Sequence, residues 1–172
     1  DRDAQALERA RLALGDLARC CTFVHANFAD LADTARAHGF QDVDGIVLDV
    51  GVSSFQLDDA ERGFSFMRDG PLDMRMDRTQ PTTAADLVNT RPAAELAALF
   101  RAYGEEPRAR AVAARIEARR SVAPIARTAE LAALVSEVYG GRRERLHPAT
   151  RVFQALRIAV NGELEALAAG LE

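Results

Sequence analysis

Apolar positions in residues 1–54 switch repeatedly between helical and extended spacing. Leu7, Ala10 and Leu14 fall on one face of a helix that ends near Gly15, and Phe28, Leu31, Ala32 and Ala35 mark a second helix closed by Gly39. Between and after them lie two short apolar runs, Cys20 to His25 and Gly45 to Val50. The second is rich in β-branched residues and unbroken by charge until Asp49, the pattern of a strand buried on both faces. Helix and strand taking turns in this way predicts an α/β fold with a parallel sheet and crossover helices.

The pattern changes beyond residue 54. From about Phe55 to Thr83 no period is sustained, and the turn pairs Arg62-Gly63 and Asp69-Gly70-Pro71 interrupt the chain. This reads as a long functional loop, since structureless stretches of that length are uncommon inside compact domains. Helical spacing then returns: Leu96, Leu99, Phe100 and Tyr103 share a face, Val112 and Ile116 another, and Leu131, Leu134, Val135 and Val138 a third. Thr128 is the expected N-cap of that third helix and Gly140-Gly141 its stop. Pro148 opens a helix with Val152, Ala155, Leu156 and Ala159 inward, and Leu164, Leu167 and Leu171 mark a last one. Three parts follow: residues 1–83, an α/β portion with its loop; 84–146, a helical insertion; and 147–172, helices returning to the first part.

The candidate chemistry sits where the apolar run 45–50 ends. Ligands in open α/β sheets bind beyond the carboxyl ends of the strands, and there this chain places Asp49, Gly51, Ser53 and Ser54. Asp, Gly and Ser are also the commonest turn residues, so a plain turn fits this segment equally. Asp1-Arg2-Asp3, immediately before the first helix, occupies the place where an acidic residue binds ribose hydroxyls in dinucleotide-type folds. Capping of that helix by Asp1 and Asp3 is the competing reading.

Composition narrows the class. Of 172 residues 48% are hydrophobic and 28% charged, ordinary for a soluble globular protein, and no apolar stretch approaches the roughly 18 residues of a spanning helix. The only cysteines, Cys20 and Cys21, are adjacent and form neither a staple nor a metal site; with no export pattern in view, a reduced, cytoplasmic setting is expected. His25, His38 and His147 have no second ligand at metal spacing and read as structural or exposed. All 22 basic residues are arginine, as a GC-rich genome also produces. The net charge of minus four conceals an uneven spread: residues 1–50 hold five arginines against nine carboxylates, and residues 101–151 eleven arginines against six. A basic middle gathered on one face would bind a polyanion, and spread over several helices it would be a solvated surface.

The segment Leu48 to Asp77, including Asp49-Val50-Gly51-Val52-Ser53-Ser54-Phe55-Gln56-Leu57-Asp58 and Arg62-Gly63-Phe64-Ser65-Phe66-Met67-Arg68-Asp69-Gly70-Pro71-Leu72-Asp73-Met74-Arg75-Met76, closely resembles the signature of the bacterial 16S rRNA cytosine-N4 methyltransferases, the RsmH/MraW family. Further matches fall at Asp1-Arg2-Asp3, His25-Ala26-Asn27-Phe28, Tyr103-Gly104-Glu105-Glu106 and His147 to Leu164, in the same order along the chain. The resemblance implies a partial Rossmann-like class I methyltransferase core interrupted by an inserted all-helical domain. It implies S-adenosyl-L-methionine as cofactor and, as partner, 16S rRNA in the small ribosomal subunit, methylated at N4 of a cytidine in the decoding region. A homo-oligomer is left open. The family's cofactor contacts fall on Asp1, Phe28, Asp49 and Gln56: Asp1 on the ribose, Phe28 and Asp49 beside the adenine and methionine parts, and Gln56 closing the pocket. Phe55 stands where the family frequently has proline. The family's glycine-rich cofactor motif and its Ser-Phe-His-Ser-Leu-Glu-Asp segment are not in these residues, so an internal part of a longer protein, inactive by itself, is expected.

Such a site calls for no metal and no activated nucleophile, because the cofactor itself is the electrophile. Asp49, Ser53 and Ser54 are the candidates to accept a hydrogen bond from the target amine. Phe64 and Phe66 are candidate stacking surfaces for a base out of its stack, against the alternative that they pack with Met67, Met74 and Met76. Arg119, Arg120, Arg142 and Arg143 are the candidate phosphate contacts of the insertion. Two other classes remain: an RNA-binding helical module attached to an incomplete enzyme, and a Rossmann oxidoreductase holding a nicotinamide ribose on Asp1.

Overall fold

The computed structural model describes residues 1–140 and 146–172. Along them run α1 (Ala4–Leu14), α2 (Leu31–Ala37), α3 (Ser54–Asp58), α4 (Ala84–Thr90), α5 (Ala93–Gly104), α6 (Ala109–Arg120), α7 (Thr128–Tyr139), α8 (Ala149–Asn161) and α9 (Glu163–Gly170), with short 3-10 turns at Gly15–Cys20, Phe28–Asp30 and Ala60–Arg62. The described residues contain no sheet; a single β-bridge joins Pro71 to Arg127. The expected α/β, Rossmann-like core is therefore overturned for this chain, whose architecture is helical.

The reason lies in where a strand finds its hydrogen bonds. A helix closes its own, whereas a central parallel strand needs a neighbour on each side. Residues 20–25 find one rung only: the Asp1 backbone nitrogen donates to the Val24 carbonyl at 3.0 Å, and the Ala26 N–H donates to the Asp1 carbonyl at 3.1 Å. Residues 45–50 are joined to no other described segment by a backbone hydrogen bond. Most of their side chains stay in water, with Val47 93% and Ile46 64% exposed, and Leu48 is half-buried.

The chain divides into two compact units. One comprises Asp1–Gly51, Met76–Thr79 and Gly162–Glu172, and the other Val52–Arg75 and Gln80–Asn161. In the first, α1 starts at Asp3, whose carboxylate accepts from the Gln5 N–H, and α1 and α2 bury no residue. α9 packs on the turn at Phe28, where Gly170 approaches the phenylalanine ring.

The second unit holds the core. Leu96 and Phe100 of α5, Val112 and Ile116 of α6, Leu131 and Val135 of α7, and Val152 and Leu156 of α8 are fully buried. These lie on the faces that the helical spacing marks; Leu99, Tyr103 and Val138 at their margins are half-buried. α5 packs tightly on α8 because Gly104 has no side chain: a Cβ there would strike the Arg151 carbonyl and come within 3.1 Å of the Ala155 methyl.

Candidate functional site

The signature begins with a short helix held by its own side chains. Ser53 Oγ accepts from the Gln56 N–H at 3.3 Å, and Gln56 Oε1 accepts from the Ser53 N–H at 3.0 Å, a capping box at the start of α3. Two residues singled out by sequence, Ser53 and Gln56, are thus bound to each other, and Gln56 is buried. Ser54 beside them is exposed.

Residues 60–75, expected as part of a loop, form an internal junction. Gly63 takes a left-handed conformation, φ +70°, under the Pro71 carbonyl, which any Cβ would strike. Arg62 is buried; its Nη2 donates to the Arg75 carbonyl at 3.0 Å, and its guanidinium carbon lies 5.6 Å from the Phe64 ring centre. The Met74 N–H donates to the Arg62 carbonyl at 3.0 Å, while the Met74 carbonyl accepts from Asn161 Nδ2 at 2.8 Å. Asp73 grips Arg75 with both oxygens, at 2.7 and 2.8 Å, in the bidentate geometry that favours carboxylate–guanidinium pairs. Phe64, Leu72, Met74 and Met76 are buried and Met67 is 82% exposed, so most of this stretch fills space.

The junction also starts a helix remote in sequence. Thr128, expected as the N-cap of α7, is instead its first residue, and Arg127 holds the cap position without a side-chain cap. Asp69 supplies the missing acceptor: Oδ1 accepts from the Ala129 N–H at 3.1 Å and Oδ2 from Arg127 Nε at 2.6 Å. The Arg127 side chain, then the Ala129 N–H, hold the Asp69 carboxyl below its ordinary range. Thr128 Oγ1 accepts from the Gly70 N–H at 3.0 Å.

Phe66 is half-buried in an aromatic stack. Its ring centre lies 4.9 Å from that of Phe153, edge to face at 75°, and 4.5 Å from the His147 imidazole at 33°. Phe153 is buried and His147 is exposed. His147 also begins α8, Nδ1 accepting from the Ala149 N–H at 3.2 Å.

Asp1, Phe28 and Asp49 belong to the other unit. Asp1 is exposed, and its Oδ1 accepts from the Asp3 N–H at 2.7 Å; Phe28 is half-buried; Asp49 is exposed and makes no hydrogen bond among the described residues. Nearby in sequence, His25 Nε2 lies 2.9 Å from the Arg2 carbonyl and 3.8 Å from Asp77 Oδ1. Hydrogen bonds from the Thr79 hydroxyl and N–H hold the Asp77 carboxyl below its ordinary range, with smaller help from His25 and Arg2.

Of the four arginines proposed for phosphate, two are engaged within the helical unit. Arg119 donates to the Ala123 carbonyl at 2.7 Å and pairs with Glu130 at 2.5 Å. Arg120 donates to the Val88 and Arg91 carbonyls at 2.7 and 2.6 Å, satisfying the end of α4. Arg142 and Arg143 lie outside the described residues.

Sequence reasoning did not single out Arg62, Asp73, Asn161 or the stacking of His147. A polar residue inside an otherwise apolar helical face, as Asn161 is after Val160, was the available signal. Nothing local announces that His147 meets Phe66, some eighty positions away.

This chain belongs to the MraW methylase family, whose sequence profile matches residues 1–172. The resemblance read from residues 48–77 is upheld over the whole chain. It is 59% identical over 175 positions to the ribosomal RNA small subunit methyltransferase H of Thermomicrobium roseum, covering 99% of this chain and 52% of that protein. The protein of the same name from Cyanothece sp. is 54% identical, covering 100% of this chain and 56% of that one, and the one from Syntrophobacter fumaroxidans is 52% identical, covering 97% and 53%. The chain spans about half the length of the curated relatives it matches. Among the described residues, no helix is long and apolar enough to cross a membrane, and no three His, Cys, Asp or Glu residues are grouped to hold a metal ion.

Proposed function

We propose that this chain is part of an S-adenosyl-L-methionine-dependent methyltransferase that acts on N4 of a cytidine in the decoding region of 16S rRNA, within the cytoplasm. The observation that carries the proposal is similarity along the whole chain to proteins named ribosomal RNA small subunit methyltransferase H. The cytosine and its N4 atom rest on the signature of residues 48–77.

The donor set fits the cofactor's chemistry. Exposed carboxylates at Asp1 and Asp49 suit hydroxyl and ammonium groups, and the half-buried Phe28 ring suits an adenine face. In this reading Asp1 binds the ribose, Phe28 and Asp49 lie beside the adenine and methionine parts, and Gln56 contributes its amide. S-adenosyl-L-methionine supplies a methyl group on a sulfonium, already a strong electrophile. What the chain adds is orientation of the amine and stabilisation of its developing charge.

Cytosine N4 is a weak nucleophile because its lone pair is conjugated with the ring. An oxygen that accepts an N4 hydrogen favours the pyramidal, charged form of the amine. The side chains of Asp49 and Ser54 make no hydrogen bond among the described residues, whereas Ser53 Oγ already serves Gln56. Asp49 and Ser54 are therefore the first choices for this role, and Ser53 supports Gln56. The test is mass spectrometry of small-subunit rRNA from cells with and without the gene for this chain. Loss of one N4-methylated cytidine is expected, and an unchanged methylation pattern overturns the proposal.

A further inference from the structure

We propose that His147 is a stacking platform for an unpaired nucleobase, its imidazole presented to solvent on top of Phe66 and Phe153. The inference rests on the reading of this chain as part of an RNA-modifying enzyme, and assigns a contact to a residue outside the cofactor and amine-orienting sets.

Three aromatic rings are graded in burial. Phe153 is 4% exposed, Phe66 is half-buried 4.9 Å above it, and His147 is exposed 4.5 Å beyond Phe66. One face of the imidazole is thus backed by rings anchored in the helical core, and no further ring covers it among the described residues. The ring is also fixed in orientation. Nδ1 accepts from the Ala149 N–H, which leaves Nε2 as the ring nitrogen that can donate. A rigid π face with a donor edge is the surface on which single-stranded RNA bases stack.

The charge around the stack suits a nucleic acid strand. Arg151, in the first turn of α8 and four residues after His147, is half-buried, and Arg68, two residues beyond Phe66, is exposed. Arg68 donates from Nη1 to the Asp58 carbonyl at 3.3 Å and carries its charge two residues along the chain from Phe66. The nearby Asp69 carboxylate is already paired with Arg127. The occupant that matches an exposed aromatic face, with arginines two residues from Phe66 and four from His147 along the chain, is a base with its phosphate rather than an apolar peptide segment.

Two substitutions separate stacking from helix capping. His147→Asn keeps an oxygen that accepts from the Ala149 N–H and removes the π face; His147→Trp keeps the π face and removes the acceptor. Binding of the full chain to a fluorescein-labelled oligocytidylate of about ten nucleotides is measured by anisotropy across a salt series, with an RNA duplex as comparator. His147→Asn should weaken single-strand binding by about 5- to 150-fold, with an unchanged salt slope and melting temperature. His147→Trp should hold its affinity, melt lower, and show indole fluorescence quenched by unlabelled oligonucleotide. Arg151→Gln should lower the salt slope by about one and weaken the duplex as well. Wild-type affinity in His147→Asn, or an equal loss on the duplex, would overturn the stacking role alone. Wild-type protein with no affinity for either RNA would overturn both this inference and the reading it rests on.

Discussion

The unit built on α5 to α8 buries the inward faces of its helices completely, whereas residues 43–50 of the other unit hold most of their apolar side chains in water. Val43, Ile46, Val47 and Val50 are all more than half exposed, while Phe100, Ile116, Leu131 and Leu156 are fully buried. Both stretches are equally hydrophobic to read. They differ in what completes them: a helical face needs only another helical face, and a strand needs backbone partners before its side chains can be sheltered. Exposed apolar runs of this kind are where a chain accepts further contacts, and buried ones are where it resists change.

The largest effects should come from breaking the helical unit. Phe100→Ala should cost about 3 to 5 kcal/mol of unfolding free energy in urea, and Val47→Ala less than about 0.5 kcal/mol. Equal losses at the two positions would mean that residues 45–50 are sheltered in solution.

Asp1→Ala tests the proposed cofactor role of the other unit. It should weaken S-adenosyl-L-methionine binding by roughly 1.5 to 3 kcal/mol in calorimetric titration, with the helical circular dichroism unchanged. Unaltered affinity would remove Asp1 from the cofactor contacts.

Two changes on α5 and α8, outside the signature segment, sharpen the contrast between chemistry and wiring. Gly104→Ala should cost roughly 1 to 3 kcal/mol, because the α5–α8 approach leaves no room for a methyl group. Asn161→Ala should lose on the order of 1 to 3 kcal/mol by leaving the Met74 carbonyl without its donor. Chemical denaturation measures both. A melting curve identical to wild type for Asn161→Ala would show that the junction of residues 60–75 does not depend on α8.

The smallest effect is electrostatic. Asp69 and Asp86 are held below their ordinary range, Asp69 by Arg127 and the Ala129 N–H and Asp86 by the Thr83 hydroxyl and N–H. Since both folded values are depressed, their stabilisation is complete above the ordinary aspartate pKa of about 3.9 and fades as pH falls through the lower folded values. The melting temperature should therefore fall below about pH 4, and the double change Asp69→Asn with Asp86→Asn should flatten that fall. A wild-type slope in the double variant would assign the acid sensitivity to other carboxylates.

Much of the helical unit was legible because helical order is local. Leu96 and Phe100, Val112 and Ile116, Leu131 and Val135, and Val152 and Leu156 repeat at intervals that a helix must place on one face, whatever it packs against. The Thr83–Asp86 capping box also lies within four residues, but the sequence pattern marks Thr83 only as the end of a loop. The family, too, was written in contiguous residues from Leu48 to Asp77. What the tertiary structure alone decided involves partners far apart along the chain. Residues 45–50 have the composition of a strand and no strand beside them, since pairing belongs to two segments and not to one. Asp69 caps a helix some sixty positions away, Asn161 holds the Met74 carbonyl, and His147 covers Phe66. No local pattern encodes such meetings, because each depends on the path of everything between.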